Sequence, residues 1–246
     1  MVRKSKVHIK KWVILFLILV FPYLLVQVVE KATHNILTLG YFPKTHLVTD
    51  SLGNISEFTD SLQVPEFKLI NQDNNYITNI DLLGYNYVVN FFFTSCPTIC
   101  PTTTLNLIEL QNKIKKYDIN NFKIISISVD PNHDTPERMK DYAQSMNIDL
   151  SNWEFLTGEE EYIYDIVQSG FSLAVGQDSL APGGVFHSSS ISIIDQKGYL
   201  RTGLDKKKNV KFFYDGTLYS DVKLLMSEIQ RLSITDYKEN YEIKQN

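Results

Sequence analysis

The hydrophobic and polar positions alternate along the chain between strand-like and helix-like stretches. Runs rich in aromatic and β-branched residues predict central strands at 87–94, 122–129 and 189–194. A helix is predicted after the first run, with an apolar face of Leu105, Ile108, Leu110 and Ile114. Hairpins are expected at 65–78 and 189–204, an edge strand at 171–175 and helices at 135–146, 159–170 and 218–232. This order predicts an α/β fold with a central mixed sheet flanked by helices.

An uncharged apolar stretch at residues 12–29 predicts a transmembrane anchor helix. Five cations and no acid precede it, so residues 1–11 are expected to form a cytoplasmic tail. A cleaved signal peptide is the alternative, but no small-x-small site follows the apolar run. The polar stretch 30–61 is read as an irregular tether, 62–232 as the folded domain and 233–246 as a flexible C-terminal tail.

The charge of the chain is unevenly distributed. The formal net charge is −4, with 24 cations and 28 anions. Because five of the cations lie in residues 1–11, the remainder carries 19 cations and 28 anions, a net charge of −9. An acidic domain without a basic stripe argues against nucleic-acid binding.

The two cysteines of the chain, Cys96 and Cys100, stand at the end of the first predicted central strand. Pro97 and Pro101 follow them, as is typical of a first helical turn. Residues i and i+4 share a helix face, so the two thiols could hold a metal ion or close a reversible disulfide. A purely structural disulfide is the alternative, although so small a loop stabilises little.

Three further side chains are candidates for the same site or its surroundings. His187 precedes the third central strand, in a loop that should face the cysteines, and is the candidate third metal ligand; a hydrogen-bonded loop histidine is the alternative. Asp130 ends the neighbouring strand and is a candidate for supporting the site, with a turn aspartate as the equal alternative. His133 is read as a surface residue of a polar loop.

The motifs resemble those of the Sco/SenC copper chaperones for cytochrome oxidase. The matching stretches are 93–101, 128–136, Trp153 with 156–158, and 187–188 with 194–195 and Gly198. The resemblance implies a thioredoxin-like fold for residues 62–232 and copper, as Cu(I) or Cu(II), held by the two cysteines and the histidine. Phe186 stands where members of the family often carry an acidic residue. Ligand chemistry alone suits copper and also allows zinc.

Two functions follow from this resemblance. The first is a membrane-anchored copper metallochaperone, not a turnover enzyme, acting in assembly of the binuclear copper site on cytochrome c oxidase subunit II. The alternative is a thiol–disulfide oxidoreductase that reduces cysteines of a partner protein. A thioredoxin-like reductant or another copper chaperone is a further expected partner. Because eleven residues precede the span, a bacterial inner membrane with the domain in the periplasm is expected, in preference to a mitochondrial one.

Overall fold

The computed structural model describes residues 15–18, 20–26, 39–49, 55–178, 180, 183–205 and 207–243 of the 246-residue chain. The described chain from Leu39 onward belongs to one compact unit. Its strands are β1 (Gly40–Tyr41), β2 (Pro43–Thr49), β3 (Ile55–Ser61), β4 (Lys68–Asn71), β5 (Tyr76–Thr78), β6 (Asn86–Phe92), β7 (Phe122–Ser128), β8 (Trp153–Thr157), β9 (Gly176–Gln177), β10 (Val185–Phe186), β11 (Ser190–Ile194), β12 (Leu200–Leu204), β13 (Val210–Lys211) and β14 (Tyr214–Asp215). Its helices are α1 (Ile99–Lys116), α2 (Pro136–Ser145), α3 (Glu160–Asp165), which continues as a π-helical turn (Ile166–Gly170), and α4 (Tyr219–Ile243).

The central sheet is mixed, as predicted. Its strand order is β1-β12-β11-β6-β7-β8-β4-β5, with β13 added to β12 and β14 to β11. The neighbours of β7, namely β6 and β8, run parallel to it, whereas β11 and β12 are antiparallel to their neighbours. All seven residues of β6 are buried, as expected of a mostly apolar central strand, and Asn90 in its middle accepts a hydrogen bond from the Ser126 hydroxyl.

Helical segments lie on both faces of the sheet. Side chains alternate across a strand, so Phe91 and Phe92 point to opposite faces. The ring of Phe92 contacts Tyr142 of α2 at 5.8 Å between centroids, whereas the ring of Phe91 contacts Phe171, after α3, at 5.3 Å. Thr104 of α1 shares a hydrogen bond with Tyr142, which places α1 on the α2 face. The predicted fold class is thereby confirmed for the described domain.

Helix α1 follows the first central strand, as predicted, but its buried face differs from the expected one. The buried positions are Cys100, Thr103, Thr104, Leu107, Leu110, Gln111 and Ile114. Leu105 was expected on that face and is 60% exposed. Positions three and four residues apart, counted from Cys100, lie on one face of the helix, and this face includes two threonines and a glutamine. The buried amide of Gln111 is satisfied because it donates to the carbonyl of Asp149 and to the side chain of Asn152.

The polar loop after β7 ends in the helix start that the sequence predicts. The hydroxyl of Thr135 accepts from the N–H of Arg138, and Pro136 occupies the first turn of α2.

The prediction of an edge strand at 171–175 is wrong. The two-residue strand β9 lies further along and pairs with β10, because the preceding chain closes the π-helical turn through the bond from the Leu173 N–H to the Val167 carbonyl.

The irregular tether expected at 30–61 is corrected in its described part. Strand β1 pairs with β12, and β2 and β3 form a hairpin whose registers run from Pro43↔Ser61 to Thr49↔Ile55. Arg201 fixes β1 to the sheet by donating to the carbonyls of Leu39 and Gly40 and by lying 3.9 Å from the ring centroid of Tyr41. These hydrogen bonds hold in the sheet a segment whose polar composition had predicted an irregular tether.

Both ends of the chain differ from the sequence expectation or lie partly outside the described residues. The flexible tail expected at 233–246 is helical as far as Ile243, because the segment lacks glycine and proline and Asp236 accepts a hydrogen bond from Asn86. Of the apolar stretch 12–29, residues 15–18 and 20–26 are helical. Among the described residues, no helix has the length and apolar character needed to cross a membrane.

Candidate metal centre

The cysteine loop is a tight connection between β6 and α1. The N–H of Cys96 donates to the carbonyl of Phe93 at 3.2 Å, which closes the turn. Helix α1 begins at Ile99, so Cys100 lies in its first turn and Cys96 just ahead of it. Both thiols are free, and both residues are buried. The turn therefore brings two sulfur atoms to a helix N-terminus, where negative charge is stabilised.

His187 reaches the cysteines from a different loop. It lies between β10 and β11, and β11 is the antiparallel neighbour of β6. Its ring meets Phe93 edge-on, with the two centroids 5.1 Å apart. A Cβ added to Gly183 would lie 2.6 Å from the Phe93 ring, so only glycine allows this loop to pack so closely.

The three predicted ligands form one cluster. The Nε2 atom of His187 lies 3.4 Å from Sγ of Cys100, and the potential ligand atoms of Cys96, Cys100 and His187 all lie within 4.8 Å of one another. Within the described residues this is the one such group of histidine, cysteine and acidic side chains. Two thiolates and an imidazole at these separations could hold a single soft or borderline metal ion.

The two thiols have different proton affinities. A hydrogen bond from the Cys100 thiol, followed by bonds from the N–H groups of Cys100 and Thr98, lowers the pKa of Cys96 to about 4. The pKa of Cys100 is raised, because its proton is engaged with Cys96 and its sulfur is buried. The pair therefore carries one thiolate and one thiol at neutral pH, with Cys96 as the nucleophile.

The imidazole of His187 is held in the form that binds metals. Burial lowers its pKa, and this outweighs the opposing attraction of the Cys96 thiolate. A neutral imidazole keeps one ring nitrogen free of a proton, as coordination requires. Its partial burial also keeps bulk water from competing for the position.

Asp130 was a candidate for supporting the site, and the structure directs its carboxylate elsewhere. It accepts from Nδ1 of His133 at 2.8 Å and is not part of the ligand cluster. The side chain of His133 is 70% exposed, as expected of a surface residue, and its pKa is raised by the hydrogen bond to Asp130.

The acidic side chain that does contact the cysteine loop is Asp134, which the sequence reasoning missed. Its carboxylate is fully buried and accepts hydrogen bonds from the backbone and hydroxyl of Thr94. Burial raises the pKa of Asp134 in spite of these bonds. The available signal was a second aspartate four residues after Asp130, just before the helix cap at Thr135.

Iodoacetamide is expected to modify Cys96 well before Cys100. The reaction needs a thiolate. Because the pKa of Cys96 is lowered to about 4, its thiolate persists as the pH falls from 9 to 5, and its reactivity is lost only as the pH falls through the pKa. Peptide mass spectrometry of briefly alkylated protein at a series of pH values measures this. The Cys96→Ser variant, in which Cys100 is the sole thiol, should react slowly, because the sulfur of Cys100 is buried. A Cys96 rate that is lost below pH 8, as for an ordinary thiol with a pKa of ~8.5, would contradict the assignment.

The fold and the cluster together define a class of protein. A mixed sheet with a cysteine pair at the start of the helix after a central strand is thioredoxin-like, and the added histidine makes the pair a possible metal centre. The SCO1/SenC family model matches residues 57–217. The chain belongs to the SCO1/SenC family.

Solved structures of the family resemble this chain over most of its length. A SCO1/SenC family lipoprotein from Bacillus anthracis is 32% identical, with 70% of this chain and 95% of that chain covered and a TM-score of 0.60. BsSco, described with a disulfide switch as a member of the Sco family of cytochrome c oxidase assembly proteins, is 30% identical, with 70% and 94% covered and a TM-score of 0.58. ScoI of Bradyrhizobium japonicum, solved with copper bound, is 25% identical, with 66% and 98% covered and a TM-score of 0.52.

Proposed function

We propose that this protein is a copper-binding metallochaperone that acts in assembly of the binuclear copper site of cytochrome c oxidase subunit II. The observation that carries the proposal is the cluster of Cys96, Cys100 and His187 within 4.8 Å. Copper in the B. japonicum relative and the oxidase-assembly description of BsSco support the metal and the pathway. Copper delivery needs no substrate turnover, so the protein is not expected to be an enzyme in this role.

The donor set suits copper in both oxidation states. Cu(I) prefers soft thiolates, which Cys96 and Cys100 supply. Cu(II) prefers more ligands in a tetragonal arrangement, and His187 adds the nitrogen. The ligands must lose protons on binding, and only the proton of Cys100 is retained at neutral pH, so loading releases about one proton from the site.

Titration of the reduced protein with Cu(I) and Cu(II) tests this function. One equivalent of each should bind, and the Cu(II) complex should show a sulfur-to-copper charge-transfer band. Zn²⁺, which accepts the same ligands, is the competitor to include. Stoichiometric zinc binding with no copper binding, or failure to bind either ion, would refute the proposal.

A thiol–disulfide oxidoreductase is the second candidate function. The specific observation in its favour is the lowered pKa of Cys96 beside a protonated Cys100, which is the arrangement of an attacking and a resolving thiol. In this role the Cys96–Cys100 dithiol would reduce a disulfide between cysteines of the oxidase subunit and become a disulfide itself, and a thioredoxin-like reductant would restore the dithiol. The reversible Cys96–Cys100 disulfide on which it depends remains a prediction, and the disulfide switch of BsSco supports it. Exchange does not need His187, so His187 variants separate the two functions.

We further propose that residues 12–29 anchor the protein in the bacterial inner membrane with the domain in the periplasm. The five cations before this stretch favour a cytoplasmic N-terminus. The resemblance to a lipoprotein of the family is in keeping with membrane attachment.

Protease added to spheroplasts is expected to digest the domain, because it should face outward. The same protease should leave a cytoplasmic marker protein intact until the cells are lysed. Moving the positive charges, by replacing Arg3, Lys4 and Lys6 with glutamine and adding lysines after Glu30, should reduce the digested fraction. A domain protected in intact spheroplasts and digested only after lysis would refute the orientation.

A further inference from the structure

A buried carboxylate outside the ligand cluster lies directly beneath the cysteine loop. The side chain of Asp134 has no exposed surface. Its Oδ1 accepts from the hydroxyl of Thr94 at 2.5 Å, and its Oδ2 accepts from the hydroxyl of Ser128 at 2.6 Å and from the N–H of Thr94 at 3.1 Å. Both carboxylate oxygens are therefore satisfied, and two of the three donor groups belong to one residue.

That residue, Thr94, is the link between β6 and the cysteine turn. Strand β6 ends at Phe92, so the N–H of Thr94 lies beyond the sheet ladder and finds its acceptor in Asp134. A second contact comes from Nε of Arg138, which donates to the Thr94 hydroxyl at 2.8 Å. Thr94 is thus held through its backbone and its side chain, two residues ahead of Cys96.

Asp134 is itself mounted on rigid elements. Its N–H donates to the carbonyl of Asp130 at 2.9 Å, and the residue after it, Thr135, caps α2. Ser128, the third donor, is the last residue of β7, the strand next to β6. The carboxylate therefore ties the cysteine loop to the end of a central strand and to the start of a helix.

We propose that Asp134 is a positioning residue that acts through Thr94 to fix the sulfur of Cys96 relative to Cys100 and His187. Without it, the N–H of Thr94 loses its acceptor and the turn is free to rearrange. Metal ligands and nucleophiles depend on side chains held to within fractions of an ångström by surrounding hydrogen bonds. The expected effect on copper binding rests on the proposed function. The placement of the Cys96 sulfur by Asp134 does not depend on it.

Two graded pairs of variants test the contact. Asp134→Ala removes both acceptor oxygens, whereas Asp134→Asn keeps one that can still serve Thr94. Thr94→Val removes the hydroxyl without changing the shape of the side chain, whereas Thr94→Ser retains it. If Asp134→Ala does not fold, the Thr94 pair still decides the question, because Thr94 is only partly buried. Asp195→Asn is the control for loss of a buried, hydrogen-bonded acid, since Asp195 follows β11 at the end of the sheet remote from the cysteines.

Two readouts distinguish positioning from general destabilisation. In the full-length protein, Cu(II) binding to Asp134→Ala should weaken by about tenfold or more with a shifted sulfur-to-copper band, the scale seen when groups that hold metal ligands are removed. Without copper, alkylation of Cys96 at pH 9 should become roughly fivefold faster, the factor that one lost hydrogen bond predicts. Asp134→Asn and Thr94→Val should lie between wild type and Asp134→Ala, and Thr94→Ser and Asp195→Asn should match wild type.

The outcomes separate this inference from the proposed function. A wild-type protein that fails to bind copper overturns the metallochaperone role, while the alkylation rates still decide the role of Asp134. Folded Asp134→Ala and Thr94→Val proteins with wild-type alkylation rates overturn the positioning role. An effect of equal size in Asp195→Asn would also overturn it, because that result would trace the change to stability alone.

Discussion

Replacing Cys100 with serine is expected to weaken copper binding strongly in both oxidation states. A serine hydroxyl stays protonated at neutral pH and is a hard oxygen, so the site is left with one thiolate and one imidazole. If ~10–16 kcal/mol of metal binding is shared among four ligands, as in structural zinc sites, one ligand contributes roughly 3 kcal/mol, and affinity should fall on the order of a hundredfold or more. Competition against a copper chelator measures the loss.

The same substitution should end dithiol chemistry, because no intramolecular disulfide can form. The matched control is Ser95→Ala, an exposed position in the same loop, which should bind copper as the wild type does. Thermal melting of the metal-free variant should show a modest loss of stability, because a hydroxyl replaces a buried thiol at Cys100. A Cys100→Ser protein that retains one equivalent of tightly bound Cu(I) would show that Cys100 is not a ligand.

Replacing His187 with alanine is expected to separate the two oxidation states. Cu(I) can still be held by two sulfur atoms, so its binding should weaken but persist. Cu(II) loses its nitrogen ligand, and its complex should become weak or unstable, with a changed charge-transfer band. Dithiol–disulfide exchange should survive, because attack requires only a thiolate and an accessible target. The variant also loses the contact with Phe93, so a modest drop in melting temperature is expected.

His133→Ala is the matched control for this experiment. His133 is also a loop histidine, but its ring contacts Asp130 and lies outside the ligand cluster. That variant should bind Cu(II) with wild-type affinity and spectrum. If His187→Ala keeps full Cu(II) affinity with an unchanged band, the ligand assignment fails and the oxidoreductase function gains support.

Local patterns in the sequence were sufficient for the elements that build the site. The apolar run of β6 and the proline-flanked cysteines predict a strand followed at once by a helix, and the structure has that arrangement. Thr135 and Pro136 predict the start of α2 because capping depends on adjacent residues. The position of His187 followed from the expected adjacency of the third and first central strands, which the pairing of β11 with β6 confirms.

Contacts between distant parts of the chain were beyond the reach of those patterns. Asp134 and Thr94 are 40 residues apart, and nothing in their neighbourhoods indicates that they meet. The docking of β1 depends on Arg201, 161 residues from Gly40, so a polar segment that reads as irregular becomes an edge strand. Leu105 is apolar and at helical spacing, yet only the three-dimensional packing of α1 decides which stripe faces the core.

The separation of the ligands along the chain means that copper binding and disulfide formation should stabilise the domain against unfolding to different extents. Cys96 and Cys100 are four residues apart, so a disulfide between them is worth only about 2 kcal/mol in the chain-entropy model. His187 lies 87 residues beyond Cys100, and an ion bound to both would cross-link a long loop, as an 87-residue closure is worth ~4.5 kcal/mol in the chain-entropy model of a permanent bond. In this model, copper loading would therefore stabilise the domain against unfolding roughly twice as much as oxidation of the two cysteines does.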